Sequence, residues 1–385
     1  MHLNFNELLK KLIQESSYSA DEPQNDVTNE GVIDFLAQTL SSENFKIYKQ
    51  KVKKARNKYN LIAQIGPNEK GGIAFSGHTD TVPTDSSLWN SNPFELAEDD
   101  KKFYGLGVID MKGFFAHIIN TLNNIDLSTL KKPIYILATA DEETTMSGAI
   151  ELADFLKDSS NFNFKPNLIC IGEPTSLVPV IMHKGQIVIK VKTTGLSGHS
   201  SNPDAGVNAI KIMNKVISSL NDFEEKLRTI KEPMFAVDHP TLNMGQINGG
   251  DAPNRICDQC ELVFDIRTLP TQKTQDMFLL VKEHLKDLMQ EYENYIELSI
   301  AYDPVEAFGA EHNAQTIDIL RKITNKEPIA VSYATEATYL QNLAETVILG
   351  AGDIANAHQP NEYLLKEEIP QIQEIYQKLI EHFCL

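Results

Sequence analysis

The sequence predicts an α/β fold in which a smaller α+β domain is inserted into a domain with a largely parallel sheet. Up to Glu173, short apolar runs alternate with helical patterns, which is typical of strands joined through helices. From Gln186 (QIVIKVKT), the runs alternate between apolar and polar residues, as in antiparallel strands with one solvated face. After Pro304 the first pattern returns. We therefore expect a first domain formed by residues 1–182 and 304–385, interrupted by residues 183–303.

The elements of the first segment follow from apolar periodicity. Leu8, Leu9, Leu12 and Ile13 have helical spacing and predict a helix at the beginning of the chain. Further helices are predicted over residues 31–40, 111–125 and 147–156. Extended segments or strands are predicted over residues 45–52, 61–65, 73–76, 134–140 and 167–171.

The middle segment has the β-α-β-β-α-β order of a ferredoxin-like unit. Its predicted strands are residues 186–193, 241–247, 261–267 and 296–301, and its predicted helices are residues 207–220 and 275–291. The last segment then continues the first domain. It is predicted to contain a helix over 314–324, strands over 329–331 and 346–349, and a C-terminal helix.

Composition restricts the class of function. The chain has 385 residues, of which 42% are apolar and 23% charged, and its net charge is −18, which argues against a nucleic-acid partner or an anionic membrane. No apolar run approaches the ~20 residues that cross a bilayer, and the first residues lack a signal-peptide pattern. Four cysteines in so long a chain do not indicate a disulfide framework. We expect a cytoplasmic protein.

Acidic and imidazole side chains follow one predicted strand or turn after another. Each is a weak signal by itself, since an Asp before a helix is usually a cap. Together they are expected to meet along one sheet edge, where their mutual repulsion requires cations. Mixed nitrogen and oxygen ligands favour zinc, cobalt or manganese. The residues are His78, Asp80, Asp110, Glu142, Glu143 and Glu173, together with the distant His358.

Eight segments resemble, in order, the motif series of the aminoacylase/carboxypeptidase family of two-zinc amidohydrolases. The resemblance spans nearly the whole chain, which makes a chance match unlikely compared with a single short motif. The segments are GHTDTVP, YGLGVIDMKG, ATADEET, IGEPTSL, SGHSSNPDAGVNAI, GGDAPNRICDQCELVFDIRTLP, YATEA and GAGDIANAHQPNEYL. The resemblance implies a zinc-peptidase-like catalytic domain of two or three layers, and a ferredoxin-like domain that acts as lid and dimerisation module.

The resemblance also implies roles for individual residues. His78 and Glu173 would bind one Zn²⁺, Glu143 and His358 the other, and Asp110 would bridge the two ions, with Co²⁺ able to substitute. Glu142 would be the general base, acting on a metal-bound water. Asp80 would be a supporting carboxylate behind the ligands, and the bond between Asp110 and Met111 would be cis.

Residues of the predicted lid would contact the substrate. The resemblance implies that His199 contacts the developing oxyanion, often from the other subunit of a dimer, and that Asn254 and Arg267 hold the substrate carboxylate. The usual Gly-Gly-Thr stretch of the family appears as Tyr333-Ala334-Thr335-Glu336. We therefore expect Thr335 to contact the substrate and Glu336 to pair with a substrate amine.

The expected reaction is hydrolysis of N-acetyl-ornithine in arginine biosynthesis by a homodimer. The same chemistry on another N-acyl amino acid, such as N-succinyl-diaminopimelate, or on a dipeptide is the nearest alternative. A non-catalytic homologue would be expected to lack a ligand or Glu142, and the sequence has them all. Cys257 and Cys260 have zinc-knuckle spacing but no second pair, so we expect them to be packed.

Overall fold

The computed structural model describes residues 3–158, 163–309 and 313–385. The chain forms two compact units. The larger consists of Met1–Ile181, Glu311–Ile329 and Thr335–Leu385, and the smaller of Met182–Ala310 and Ala330–Ala334. The predicted fold class, an α/β unit interrupted by a smaller inserted unit, is confirmed.

Helices and strands are interleaved along the chain. The helices are α1 (Phe5–Gln14), α2 (Glu30–Ser42), α3 (Lys112–Leu122), α4 (Ser147–Lys157), α5 (Ala209–Leu227), α6 (Thr274–His284), α7 (Lys286–Glu291), α8 (Ala314–Thr324), α9 (Ala337–Leu340) and α10 (Glu368–Cys384). The strands are β1 (Lys46–Lys51), β2 (Tyr59–Ile65), β3 (Ile73–His78), β4 (Ala97–Glu98), β5 (Lys102–Tyr104), β6 (Ile134–Thr139), β7 (Leu168–Ile171), β8 (Val180–His183), β9 (Gly185–Thr194), β10 (Thr241–Gly249), β11 (Gln259–Thr268), β12 (Ile296–Ile300), β13 (Ile329–Val331), β14 (Thr346–Ile348) and β15 (Tyr363–Leu365).

An eight-stranded mixed sheet organises the larger unit, in the order β1-β2-β6-β3-β7-β14-β8-β13. Its central strands β6, β3, β7 and β14 are parallel, whereas β1, β2 and β8 pair antiparallel with their neighbours. The residues of β3, β6 and β7 are all buried, which explains the apolar runs of β6, β7 and the first half of β3. Phe75 of β3 packs edge-on against Tyr376 of α10, at 5.4 Å between ring centroids.

The smaller unit contains a four-stranded antiparallel sheet in the order β10-β11-β9-β12. This is the strand order of the predicted ferredoxin-like unit. Buried and half-buried residues alternate strictly along β9, because one face packs on the helices. The predicted helix over 275–291 is instead two helices, α6 and α7, separated at Leu285, where ψ is 0°. No described helix combines the length and the apolar content that a bilayer crossing requires.

Candidate metal centre

Three neighbouring parallel strands bring the predicted ligands to one edge of the sheet. His78 is the last residue of β3 and is in register with Thr139, the last residue of β6. Glu142 and Glu143 follow the end of β6 after two and three residues, and Glu173 follows the end of β7 after one residue. Since parallel strands end at the same edge, the side chains that follow them converge.

The side chains form two overlapping groups that could each hold a metal ion. His78, Asp110 and Glu143 form one, and His78, Glu142 and Glu173 form the other, with the donor atoms of each group within 4.8 Å of one another. His358, far away in sequence, completes the cluster. Its Nε2 atom lies 3.0 Å from Glu143 Oε2.

The two carboxylate oxygens of Asp110 face different imidazoles. Asp110 Oδ1 lies 3.1 Å from His78 Nε2, and Asp110 Oδ2 lies 3.1 Å from His358 Nε2. Ligand atoms on a tetrahedral ion with bonds of ~2.0–2.2 Å are ~3.4 Å apart, so both separations suit atoms that share an ion. Asp110 thus links the two imidazoles, one through each carboxylate oxygen. The Asp110–Met111 bond is cis, as the resemblance implies.

The carboxylates and imidazoles of this cluster strongly shift one another's pKa values. Burial raises the pKa of Glu142 and Glu173 well above the usual value, and the neighbouring carboxylates raise both further. Burial would lower the pKa of His78, but the hydrogen bond with Asp110 and the charges of Glu173 and Glu142 raise it well above its usual value. Hydrogen bonds with Asp110 and Glu143 raise the pKa of His358 to about 11. The protonated imidazoles thus supply positive charge to the buried acids.

Asp80 contacts His78 through its backbone oxygen rather than through its carboxylate. His78 Nδ1 lies 3.0 Å from the backbone oxygen of Asp80, and 3.7 Å from its Oδ1. The Asp80 carboxylate instead accepts from the amides of Glu142 (3.3 Å) and Glu143 (3.2 Å). The residue therefore fixes the His78 ring through its main chain, and the loop of the paired glutamates through its side chain.

A second residue, Asp141, also fixes the loop after β6, and this role was not predicted from the sequence. Asp141 has a φ of 64° and accepts hydrogen bonds from the hydroxyls of Thr144, Thr145 and Ser147. An Asp tolerates this left-handed conformation better than most residues. Its position beside the paired glutamates in ATADEET is the one signal that the sequence offers for this role.

Glu362 is another residue missed in the sequence. Its buried carboxylate accepts from the amides of Gly107 (2.9 Å), Ile109 (2.8 Å) and Asp110 (3.2 Å). The free amides of this turn thus donate to the carboxyl oxygens of Glu362. Its place four residues after His358 in AHQPNEYL is the signal that could have found it.

Glu336 and Thr335, which are expected to contact the substrate, are buried in the structure. The Glu336 side chain is fully buried, and its two oxygens accept from Ser76 Oγ and Thr139 Oγ1, each at 2.6 Å. Thr335 is also buried, and its hydroxyl accepts from the Ala337 amide. Each oxygen of Glu336 thus already accepts one hydrogen bond inside the protein, and its pairing with a substrate amine stays a prediction.

The predicted lid residues lie in the smaller unit, and the structure brings only two of them together. His199 is exposed, and the following amide, of Ser200, donates to the backbone oxygen of Asn254 at 3.1 Å. Arg267 lies at the far end of β11 from Asn254 and is bound to Asp265. The nine residues from Gln259 to Arg267 span about 27 Å in an extended strand. Asn254 and Arg267 therefore lie towards opposite ends of β11 within one chain.

The donor set of the larger unit fits divalent metal ions. Imidazole nitrogens and carboxylate oxygens suit zinc, cobalt and manganese, and a buried group of acids is stabilised by positive charge. The residues could hold two ions, one between His78 and Glu173 and one between Glu143 and His358, with Asp110 between them. Cys257 and Cys260 are buried free thiols outside this cluster.

Comparison with known proteins places this geometry in context. The family model described as Peptidase family M20/M25/M40 matches residues 74–382. Acetylornithine deacetylase of Photorhabdus laumondii is 42% identical over 382 residues, covering 99% of this chain and 97% of that protein. The acetylornithine deacetylase of Vibrio cholerae is 43% identical over 384 residues and 99% of both chains.

Solved structures share the fold at low sequence identity. Aminopeptidase PepT from Bacillus cereus superimposes with a TM-score of 0.77 at 18% identity, covering 99% of both chains. An M20 family metallo-carboxypeptidase from Sulfolobus solfataricus gives a TM-score of 0.72 at 18% identity over 97% of both chains. These two structures support the fold alone.

Proposed function

The chain belongs to peptidase family M20/M25/M40, and from this premise we propose that it hydrolyses N-acetyl-L-ornithine to L-ornithine and acetate, a step of arginine biosynthesis. The observation that carries the proposal is Asp110, whose two oxygens each face a different imidazole inside a group of buried acids. The relatives at 42% and 43% identity are acetylornithine deacetylases, and the alignments cover almost their entire length, which supports the choice of substrate.

Two Zn²⁺ ions per subunit, replaceable by Co²⁺, are the proposed cofactors. His78 and Glu173 would hold one ion, Glu143 and His358 the other, and Asp110 both. Ions bound there would lower the pKa of a water molecule and polarise the amide carbonyl. The separations between the donor atoms and the mixed donor set support this assignment.

Glu142 is the proposed general base. It would accept a proton from the water that attacks the acetyl carbonyl carbon, and return that proton to the departing α-amine. Burial raises the pKa of Glu142 well above its usual value, and a raised pKa favours the return of the proton that a general base has accepted. Asp80 would keep Glu142 in place through the backbone amide that it binds.

The remaining roles belong to the smaller unit, which we assign as a lid and dimerisation domain of residues 183–303. Strand β10 supports this, because it forms one edge of the sheet and exposes Ile247. We propose that His199 and Asn254 act from a second copy of the chain, His199 on the oxyanion and Asn254 on the substrate carboxylate. Arg267 would orient the carboxylate from the chain that holds the metal ions.

The test measures metal content and hydrolysis together. Protein loaded with Zn²⁺ should contain two ions per chain and should hydrolyse N-acetyl-ornithine at a higher kcat/KM than N-succinyl-diaminopimelate, N-acetyl-methionine or a dipeptide. Chelation should abolish turnover, and added Zn²⁺ or Co²⁺ should restore it. A higher kcat/KM for another member of the panel would overturn the substrate assignment. Hydrolysis that survives complete removal of metal would overturn the metal-dependent mechanism.

A further inference from the structure

The structure assigns a positioning role to Glu362, which we infer holds Asp110 and His358 in register and thereby selectively strengthens the binding of one metal ion. The inference rests on the proposed two-metal centre. It concerns the ion that Glu143 and His358 would bind.

The contacts of Glu362 connect two distant parts of the chain. Its Oε2 accepts from the Gly107 amide at 2.9 Å, and its Oε1 accepts from the amides of Ile109 and Asp110 at 2.8 and 3.2 Å. The partners are more than 250 residues away in sequence. One of the donors is the backbone of Asp110 itself, so the side chain acts directly on a proposed ligand.

Glu362 also ends the loop that carries the second imidazole. His358 lies four residues earlier, has a φ of 58° and is half exposed. In contrast, His78 is the buried last residue of β3, a strand that pairs with β6 up to His78 itself and with β7 up to Ser76. His358 therefore depends on its loop for its position, whereas His78 is positioned by the sheet.

Replacing Glu362 by Gln changes only the acceptors. The amide oxygen of Gln can serve either Gly107 or the pair Ile109 and Asp110, and its NH₂ group then faces the other donor. At least one buried amide loses its partner, and the turn that carries Asp110 relaxes. The short pairing of β15 with β5 remains and holds the neighbouring main chain, so the variant should still fold.

The experiment titrates metal-free full-length protein with Co²⁺, following heat and visible absorption. Wild type should bind two ions. In Glu362→Gln, the binding step of the ion that Glu143 and His358 would hold should weaken by ~10–100-fold, the effect typical of losing an outer partner of a ligand, while the other step, which shares Asp110, should weaken clearly less. Glu151→Gln is the matched control, because the Glu151 carboxylate also accepts from backbone amides, those of Lys53 and Lys54. Both of its steps should equal those of wild type.

Double substitutions identify the ion. In a Glu143→Gln background, which already lacks a ligand of the affected ion, adding Glu362→Gln should weaken Co²⁺ binding little further. In a Glu173→Gln background it should still weaken Co²⁺ binding by ~10–100-fold, since the effects of interacting groups are non-additive and those of independent groups are additive. If Glu362→Gln does not fold, Glu362→Asp replaces it, with a smaller loss at the same step expected.

The outcomes separate the two proposals. Equal weakening of both steps, or no weakening of either, overturns the role of Glu362 and leaves the metal centre intact. Wild-type protein that binds no Co²⁺ overturns the metal centre and this role together. Selective weakening without hydrolysis of N-acetyl-ornithine supports the role and removes only the proposed substrate.

Discussion

Glu142 and Glu143 are adjacent, and their amides bind the two oxygens of the same Asp80 carboxylate, at 3.3 and 3.2 Å. The same substitution, Glu to Gln, can therefore be made at two positions with equivalent main-chain support. Glu142→Gln removes the proposed base and leaves Asp80, Asp110 and both histidines as they are. Glu143→Gln instead removes an oxygen 3.0 Å from His358 Nε2. The two variants should fail in different ways.

The magnitudes follow from the role of each side chain. Loss of a general base typically lowers the rate 10²–10⁴-fold, which is ~3–5 kcal/mol of transition-state stabilisation. Glu142→Gln should therefore lower kcat by this factor and keep two ions per chain. Glu143→Gln should weaken the binding of one ion by more than the ~10–100-fold that an outer partner contributes. Excess Zn²⁺ should rescue part of its activity, and none of that lost in Glu142→Gln.

The assay combines metal analysis after dialysis with acetate release at saturating N-acetyl-ornithine, over a range of pH. In wild type, kcat should fall at low pH, because protonated Glu142 cannot accept a proton. Glu142→Gln should lack this limb. Near-normal turnover by Glu142→Gln, or loss of metal equal to that in Glu143→Gln, would refute the division of roles.

Three further changes test the surroundings of the site by urea unfolding. Burial lowers the pKa of His117 from 6.5 to about 3. The contribution of neutral His117 to stability is therefore complete above pH 6.5 and is lost as the pH falls towards 3, and at pH 5 the loss is ~2 kcal/mol. A His117→Leu protein that is as acid-sensitive as wild type would contradict this. Gly172→Ala places a Cβ 2.0 Å from the Phe114 ring and should cost ~1–3 kcal/mol, partly regained with Phe114→Leu. Ser76→Ala removes one of two hydroxyl donors to the buried Glu336 carboxylate and should cost ~1–3 kcal/mol; an unchanged midpoint would show that this bond contributes nothing.

Long elements with clear periodicity could be predicted from the sequence. The wholly buried strands β6 and β7, with the sequences IYILAT and LICI, appear as apolar runs. The short strands β4, β5 and β15, of two or three residues, have no such signal, because their pairing depends on partners far along the chain. The sequence also predicted a largely parallel sheet, whereas β1, β2 and β8 are antiparallel to their neighbours.

Within the site, the sequence indicates more clearly which residues come together than which role each of them has. The position of His78 at a strand end follows from the apolar run before it. Whether Glu336 faces a substrate or the interior depends on Ser76 and Thr139, which are 260 and 197 residues away. Glu362 is a single acid in a loop, and only the folded turn of residues 107–110 gives it three donors.

The balance of charge explains why the cluster suits two ions. Asp110, Glu142, Glu143 and Glu173 carry four negative charges when ionised, on side chains that are almost wholly removed from water. Two protonated imidazoles offset only half of that charge, and they must lose their protons to act as ligands. One divalent ion with neutral His78 and His358 would leave two negative charges in a medium of low dielectric constant. Two divalent ions compensate all four, and in that state Glu142, which need not be a ligand, can be ionised and able to accept a proton.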